Sequence, residues 1–195
     1  SKPEKTWVLA SSSTYRRALL EKLKRPFETA SPNIDESPHP LESPGQLALR
    51  LARQKAEALI SQWPHALIIG SDQVAECNGV RLGKPGSLEA ARSQLIQSSG
   101  RIVCFHTAAC ILDTSTQRFQ ESLDLTQVHF KTLSEDQINR YLELEQPLDC
   151  AGSFKAESLG ISLFDRIVGD DPNALIGLPL IRLIAMLNEW GNEIP

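Results

Sequence analysis

The chain lacks a surplus of positive charge, a paired cysteine motif and an apolar run long enough to cross a bilayer, and each absence removes a class of function. Its 195 residues carry a net charge of -4. The basic stripe expected of a nucleic-acid-binding protein is therefore missing, and an anionic partner has to be met by local clusters. Cys77, Cys104, Cys110 and Cys150 are scattered without Cys-x-x-Cys spacing. Cys104 and Cys110 fall within strand-like apolar sequence, and the set reads as buried free thiols of a reducing compartment. His39, His65, His106 and His129 show no metal-ligand spacing, which argues against a structural zinc site. Ser1 to Thr6 is polar and charged with no apolar h-region, so the expectation is a cytoplasmic protein with no membrane partner. Repeats and low-complexity tracts are absent.

What is present suits a single domain over residues 1–195, because 41% hydrophobic content is enough to bury a core. The organising stretch is Ala66 to Gln73. Ala66-Leu67-Ile68-Ile69 is an uninterrupted apolar run and predicts a strand buried on both faces, central in an α/β sheet. The run stops at Gly70, and Ser71-Asp72-Gln73 then offers a hydroxyl, a carboxylate and an amide at the strand's carboxyl end, where ligands sit in open α/β sheets.

Upstream, Trp7 to Ala10 predicts a short strand, and Ser11-Ser12-Ser13 caps a helix from Thr14 to Lys24. Such a turn aims unpaired backbone N–H groups at one spot and suits a phosphate. Arg16 and Arg17 in the first turn oppose the helix dipole, so either an anion outside the helix accounts for them or they are a solvated pair. Phe27 to Ala30 reads as a second strand. Ser31 to Glu42, with Pro32, Pro38 and Pro40 around Asp35-Glu36, reads as a loop whose acids are ordinarily hydrated.

Ser43-Pro44-Gly45-Gln46 has the form of a capping box with proline at the first helical position. From Leu47 to Trp63, a helical spacing of about 100° per residue gathers Ala48, Leu51, Ala52, Ala56, Leu59 and Trp63 on one arc. Lys55 falls inside that arc. Pointing inward it requires an anion, either Asp72, a bound phosphate or both; the alternative is a stem that covers apolar surface while its head reaches water. Asn78-Gly79 predicts a hairpin between strands at Val74–Cys77 and Val80–Leu82. Gly83-Lys84-Pro85-Gly86 exposes one lysine and lacks P-loop spacing. Ser87 caps a helix from Leu88 to Gln97. Long antiparallel strands follow at Arg101–Asp113 and Gln117–Lys131, and Ser134-Glu135-Asp136-Gln137 caps another helix. These regions read as scaffold, with a homodimer surface as a second role. The late loop Ala151 to Glu157 leads into an apolar run, Ile161 to Ile167, and Leu178 to Trp190 predicts a helix buried around much of its circumference.

Taken in order, Leu9-Ala10-Ser11-Ser12-Ser13-Thr14-Tyr15-Arg16-Arg17, Asp35-Glu36, Ala52 to Ala56 around Lys55, Gly70-Ser71-Asp72-Gln73, Gly83-Lys84-Pro85 and Ala151-Gly152-Ser153 resemble the Maf family of nucleoside triphosphate pyrophosphatases. Tyr15, Gln73 and Phe154-Lys155-Ala156-Glu157 are most similar to the branch acting on 7-methyl-GTP. Two departures stand out: the family usually has proline where Thr14 stands, and the branch often has tryptophan where Tyr15 stands.

The resemblance implies a Maf/inosine-triphosphatase-like α/β fold, an elongated mixed β-sheet with flanking helices and a central cleft between two lobes. It also implies hydrolysis of a small-molecule nucleotide to its monophosphate and pyrophosphate, with Mg, Mn or Co as the divalent cation. In those terms Ser11, Arg16, Lys55 and Lys84 contact phosphates, Tyr15, Gln73 and Glu157 choose the base, and Asp72 either activates water or joins Glu36 as a metal ligand. The physical chemistry is consistent: N7-methylation makes guanine cationic, which favours stacking on an electron-rich ring. A carboxylate accepts from guanine N–H groups that pyrimidines do not offer in that arrangement. The same residues leave two other readings open, a nucleotide-binding regulator of cell division with little turnover, and a pyrophosphatase for another base.

Overall fold

The computed structural model describes residues 4–195, so the start of the polar stretch read at Ser1 to Thr6 lies outside the described residues. Strand β1 (Thr6–Ala10) runs parallel to β2 (Glu28–Ala30) and to β3 (Ala66–Cys77). On its other edge β3 pairs antiparallel with β5 (Ile102–Asp113), followed by β6 (Phe119–Phe130) and β7 (Phe164–Val168). The short β4 (Val80–Leu82) folds back on the end of β3 through Asn78 and Gly79, both at positive φ as a type I′ turn requires. The result is one seven-stranded mixed sheet in the order β2-β1-β3-β5-β6-β7, with β4 off this path beside the end of β3.

The pleat of β3 sorts its side chains between two layers. Ile68 and Val74 pack with Leu51, Ala52 and Ala56 of helix α2 (Pro44–Glu57). Leu67 and Ile69 face the opposite way, against Leu19 and Leu20 of α1 (Thr14–Glu21) and Leu183 and Leu187 of the carboxyl-terminal helix, Leu180–Glu189. Farther along the same strands, Ala75, Val103 and Phe105 meet Ala91 and Leu95 of α3 (Leu88–Ser98) and Ile138 and Tyr141 of α4 (Glu135–Glu145). One half of the sheet is thus covered on both faces and the other on one. Ile102, Leu125 and Val168 are left exposed on the bare side, an ordinary arrangement for an antiparallel sheet.

Several sequence expectations are corrected here. The strand opened by Ala66–Ile69 does not stop at Gly70: its ladder with β5 runs unbroken from Leu67↔Asp113 to Glu76↔Cys104, and Asp72 lies in the middle of the strand. What stops is the neighbour on the other edge. β1 pairs through Leu9↔Ile69 and β4 begins only at Leu82↔Ala75, so residues 70–74 form a notch with no strand beside them on that edge. Helix α1 ends at Glu21 rather than Lys24, which has a left-handed φ of 57° and is followed two residues later by Pro26. Helix α2 ends at Glu57; Leu59 and Trp63 reach the core from a 3-10 turn, Ile60–Gln62, ahead of Pro64. The run Ile161 to Ile167 divides into a 3-10 turn, Leu159–Leu163, and β7. The last helix starts at Leu180, two residues late, and is amphipathic rather than buried all round, since Ile181 is 57% exposed. Among the described residues no helix is long and apolar enough to cross a membrane.

Gly70 sets the spacing between sheet and helix, because a Cβ there would stand 2.0 Å from the Ala52 carbonyl oxygen. Gly70→Ala has to lift α2 from the sheet. Its expected cost is about 1–3 kcal/mol, visible as a lower urea midpoint at unchanged slope; an unchanged midpoint would show that the helix seat yields freely.

Candidate active site

The notch beside β3 opens into a cleft of about 540 Å³ that reaches both layers of the molecule. Its walls come from the turn after β1 and the start of α1, from Glu36, from α2, from β4 and Lys84, and from the loop Asp149 to Glu157. Every residue singled out from the sequence as catalytic, phosphate-binding, metal-binding or base-selecting lines this space: Ser11, Tyr15, Arg16, Glu36, Lys55, Asp72, Gln73, Lys84 and Glu157.

Alternation along β3 puts Asp72 on the α2 side. There Lys55 reaches it with Nζ 2.9 Å from Oδ1, and both residues are buried. Lys55 therefore points inward, and its partner is Asp72. Exposed Glu36 approaches the same ammonium at 3.1 Å from the proline-rich loop. That loop is held to α2 by Arg50, which makes two hydrogen bonds to the Glu42 carboxylate at 2.7 and 2.9 Å and a third to the Ser37 carbonyl. Burial pushes the Asp72 carboxyl above the usual carboxylate range, while Lys55 and Arg16 pull it back. Among the described residues its Oδ2 makes no hydrogen bond to protein and is not left buried, so this oxygen is available to a solvent molecule in the cleft.

Across the notch, Ser13 rather than Ser11 is the cap of α1, its hydroxyl accepting the Arg16 N–H at 3.2 Å. Ser11 Oγ in turn accepts the Ser13 N–H at 3.0 Å. Two of the backbone donors expected for a phosphate are thereby satisfied within the turn, and the Ser11 hydroxyl keeps its proton for a ligand. Arg16 donates Nε to the Gly177 carbonyl at 2.8 Å, which leaves its terminal nitrogens free of protein acceptors among the described residues. Burial lowers its guanidinium from the ordinary value, and Asp72 and Glu36 oppose that shift. Arg17 stands apart from the cleft in an exposed pair with Glu21, so the solvated reading holds for that residue.

Gln73 takes the other side of the pleat. Its Nε2 lies 3.0 Å from the carbonyls of Ala174 and Leu175 and 3.2 Å from Thr107 Oγ1, so the amide is tied to the short helix Pro172–Ile176 and only Oε1 remains for a ligand. On this side the cleft is bounded by Tyr15, Phe105, Phe154 and Glu157. The loop carrying Phe154 is fixed from outside: Lys155 N–H donates to the Tyr141 hydroxyl at 2.9 Å, and Gln94 of α3 joins Ser153 to the Gly83 carbonyl beside Lys84.

Three lining residues escaped the sequence reading. Arg81 on β4 shares the cleft with Lys84 and has no ion-pair partner among the described residues. Asp149 lies 3.4 Å from the Tyr15 hydroxyl, and Phe105 comes from a strand read as scaffold. Register across a hairpin and contact between distant segments place these residues, and neither leaves a local motif. The four cysteines are free thiols as expected, but only Cys77 and Cys110 are buried; Cys104 and Cys150 are partly exposed, and Cys150 lines the cleft with its thiol pushed up to about 11 by burial and by Asp149.

No group of three or more histidine, cysteine or acidic side chains converges as a metal site among the described residues. Glu36 and Asp72 nonetheless approach a common point, now taken by the Lys55 ammonium. Two hard carboxylates that leave the other positions to water and phosphate oxygens fit an Mg-like cation.

The raised Asp72 carboxyl fixes the sign of a pH effect. Its ionised form is lost as pH falls, so the acid limb of kcat/KM is expected above the ordinary aspartate value of about 4. Lys55→Met removes a neighbour that lowers that value and is expected to move the limb higher; a pH–rate series on the two proteins checks both shifts.

The model of the Maf-like protein family matches residues 6–190. A Pseudomonas aeruginosa protein named 7-methyl-GTP pyrophosphatase is 53% identical over 188 residues, covering 96% of this chain and 98% of its own length. One of the same name from Alcanivorax borkumensis is 54% identical over 190 residues, covering 97% and 96%. In fold the chain is similar to the Ham1 protein of Staphylococcus aureus, at TM-score 0.54 and 16% identity over 96% of this chain and all of that one (100%). The HAM1 protein of Coxiella burnetii gives TM-score 0.51 at 15% identity over 95% of this chain and 100% of its own. With a family model spanning nearly all of it and relatives more than half identical along almost their full length, this chain belongs to the Maf-like protein family.

Proposed function

We propose that the chain is a nucleoside triphosphate pyrophosphatase that hydrolyses 7-methyl-GTP to its monophosphate and pyrophosphate. The observation that carries the reading is the buried Lys55–Asp72 pair on the floor of a cleft wide enough for a nucleotide. The names of the relatives from Pseudomonas aeruginosa and Alcanivorax borkumensis support the substrate. The single seven-stranded sheet supports treating the chain as one domain.

Cleavage of the α–β phosphoanhydride needs neutralised phosphates and a placed water. Arg16, Lys55, Lys84 and Arg81 neutralise the triphosphate, and the Ser11 hydroxyl donates to it. Asp72 Oδ2 orients a water and accepts its proton. The water oxygen attacks the α-phosphorus, the bond from that phosphorus to the bridging oxygen breaks, and pyrophosphate leaves toward Lys84 and Arg81. Lys55 holds Asp72 by its other oxygen, which fixes the direction of the free one. Glu36 and Asp72 would hold a divalent cation together with phosphate oxygens; when bound, such a cation neutralises charge on the phosphates. At the other end Tyr15 stacks on the cationic base. Glu157 accepts from the guanine N–H groups, and Gln73 Oε1 faces the same end.

Asp72→Asn keeps the shape of the side chain and removes the proton acceptor. Its kcat is expected to fall by about 10² to 10⁴ with the thermal transition retained, measured as pyrophosphate release in a screen across nucleoside triphosphates in which 7-methyl-GTP is turned over best by the wild type. Normal turnover by Asp72→Asn would refute the mechanism, and a preference for another triphosphate would refute the substrate.

A further inference from the structure

Charge is segregated along the cleft. Arg16, Lys55 and Glu36 surround Asp72, whereas Asp149 and Glu157 act on Tyr15, and Arg81 and Lys84 line the same cleft. Among the described residues neither Asp149 nor Glu157 has an ion-pair partner, Lys155 included. The two sets of charges act on different groups. Asp72 responds to Lys55, Arg16 and Glu36. The Tyr15 phenol is pushed above its ordinary value by burial first and then by Cys150, Asp149 and Glu157.

Asp149 is held in a defined place. It follows Leu148, whose carbonyl accepts the Gly86 N–H at 3.0 Å, so its segment is fastened to the turn that carries Lys84. One carboxylate oxygen lies 3.5 Å from the Cys150 thiol and the other 3.4 Å from the Tyr15 hydroxyl. The acid therefore meets the hydroxyl of the ring available for stacking, and does so from a segment 134 residues away along the chain. A neutral purine gains nothing from a second negative charge beside that residue, while a base with a fixed positive charge does, and because Asp149 and Glu157 are both exposed the gain is that of a partly screened charge.

We infer that Asp149 is a specificity-determining residue: it anchors Tyr15 across the cleft and, with Glu157, makes the base end select a cationic, N7-alkylated purine by charge. The inference rests on the substrate reading above and assigns to Asp149 a share of base choice beyond that of Glu157.

The test compares steady-state pyrophosphate release from 7-methyl-GTP and from GTP by the wild type, Asp149→Asn, Asp149→Glu and Tyr15→Phe. Asp149→Asn is expected to raise KM for 7-methyl-GTP by about five- to tenfold, the scale of one partly screened charge, with KM for GTP changed less than about twofold and kcat unaltered for both. Asp149→Glu is expected to restore the preference. Tyr15→Phe removes the anchoring hydroxyl but keeps the charge and the ring, and is expected to retain most of the preference. Equal losses on both nucleotides, an unchanged ratio in Asp149→Asn, or a Tyr15→Phe loss as large as that of Asp149→Asn would overturn the inference while leaving the substrate assignment standing. A wild type that prefers GTP would instead overturn the assignment beneath it.

Discussion

The ion pair between Lys55 and Asp72 is the constraint around which the rest is arranged. An ammonium and a carboxylate taken out of water are tolerable only together, and stranding either one typically costs about 3–5 kcal/mol. Their meeting depends on a close seat between helix and strand. Ala52 lies on Gly70, and one helical turn farther along α2 Lys55 comes into register with Asp72, two residues farther along β3. A side chain at position 70 would widen the gap that the pair spans. Gly70 thus serves the electrostatics of the site through packing alone.

The sheet has a gap in it, and the gap is the site. β3 is paired with β5 from Leu67 to Glu76, yet its other edge is handed from β1 to β4 with an interval between. Within that interval the pleat divides the work. Asp72 turns to α2 and the cations, Gln73 to the aromatic side, and Ser71 is spent inside, donating to the Ala108 and Gly177 carbonyls at 2.8 and 3.1 Å. Adjacent residues face opposite sides of the cleft because successive side chains in a strand point to opposite faces.

The loop on the aromatic side is built as firmly as the strands. Gly152 and Ser153 both take positive φ, 79° and 68°, a conformation that costs a serine energy and persists where the surroundings over-determine it. Those surroundings are Gln94, Tyr141 and the edge-to-face set Phe105, Phe130, Phe154 and Phe164, with ring centroids 5.0 to 5.4 Å apart. Gly160 lets the chain return over Lys155, where a Cβ would meet the carbonyl oxygen at 2.3 Å. A cleft wall pinned at this many points presents its side chains at little ordering cost.

The sequence by itself determined the elements and much of the chemistry. The capping boxes at Ser43 and Ser134, the Asn78-Gly79 hairpin and the place of Lys55 on the apolar arc of α2 follow from spacing and local hydrogen bonding, which act over a few residues, whereas the inward direction of Lys55 is settled by Asp72. The order of motifs marked the family and all nine lining residues named from it. Tertiary structure alone decided that β3 continues past Gly70, since a ladder with β5 outweighs a local break in the apolar run. It also decided that Gln73 spends its amide on Ala174 and Leu175, and that Asp149 meets Tyr15 across 134 residues of sequence. Each of these is a contact between segments whose separation along the chain carries no periodic signal, and only the closed sheet brings them within bonding distance.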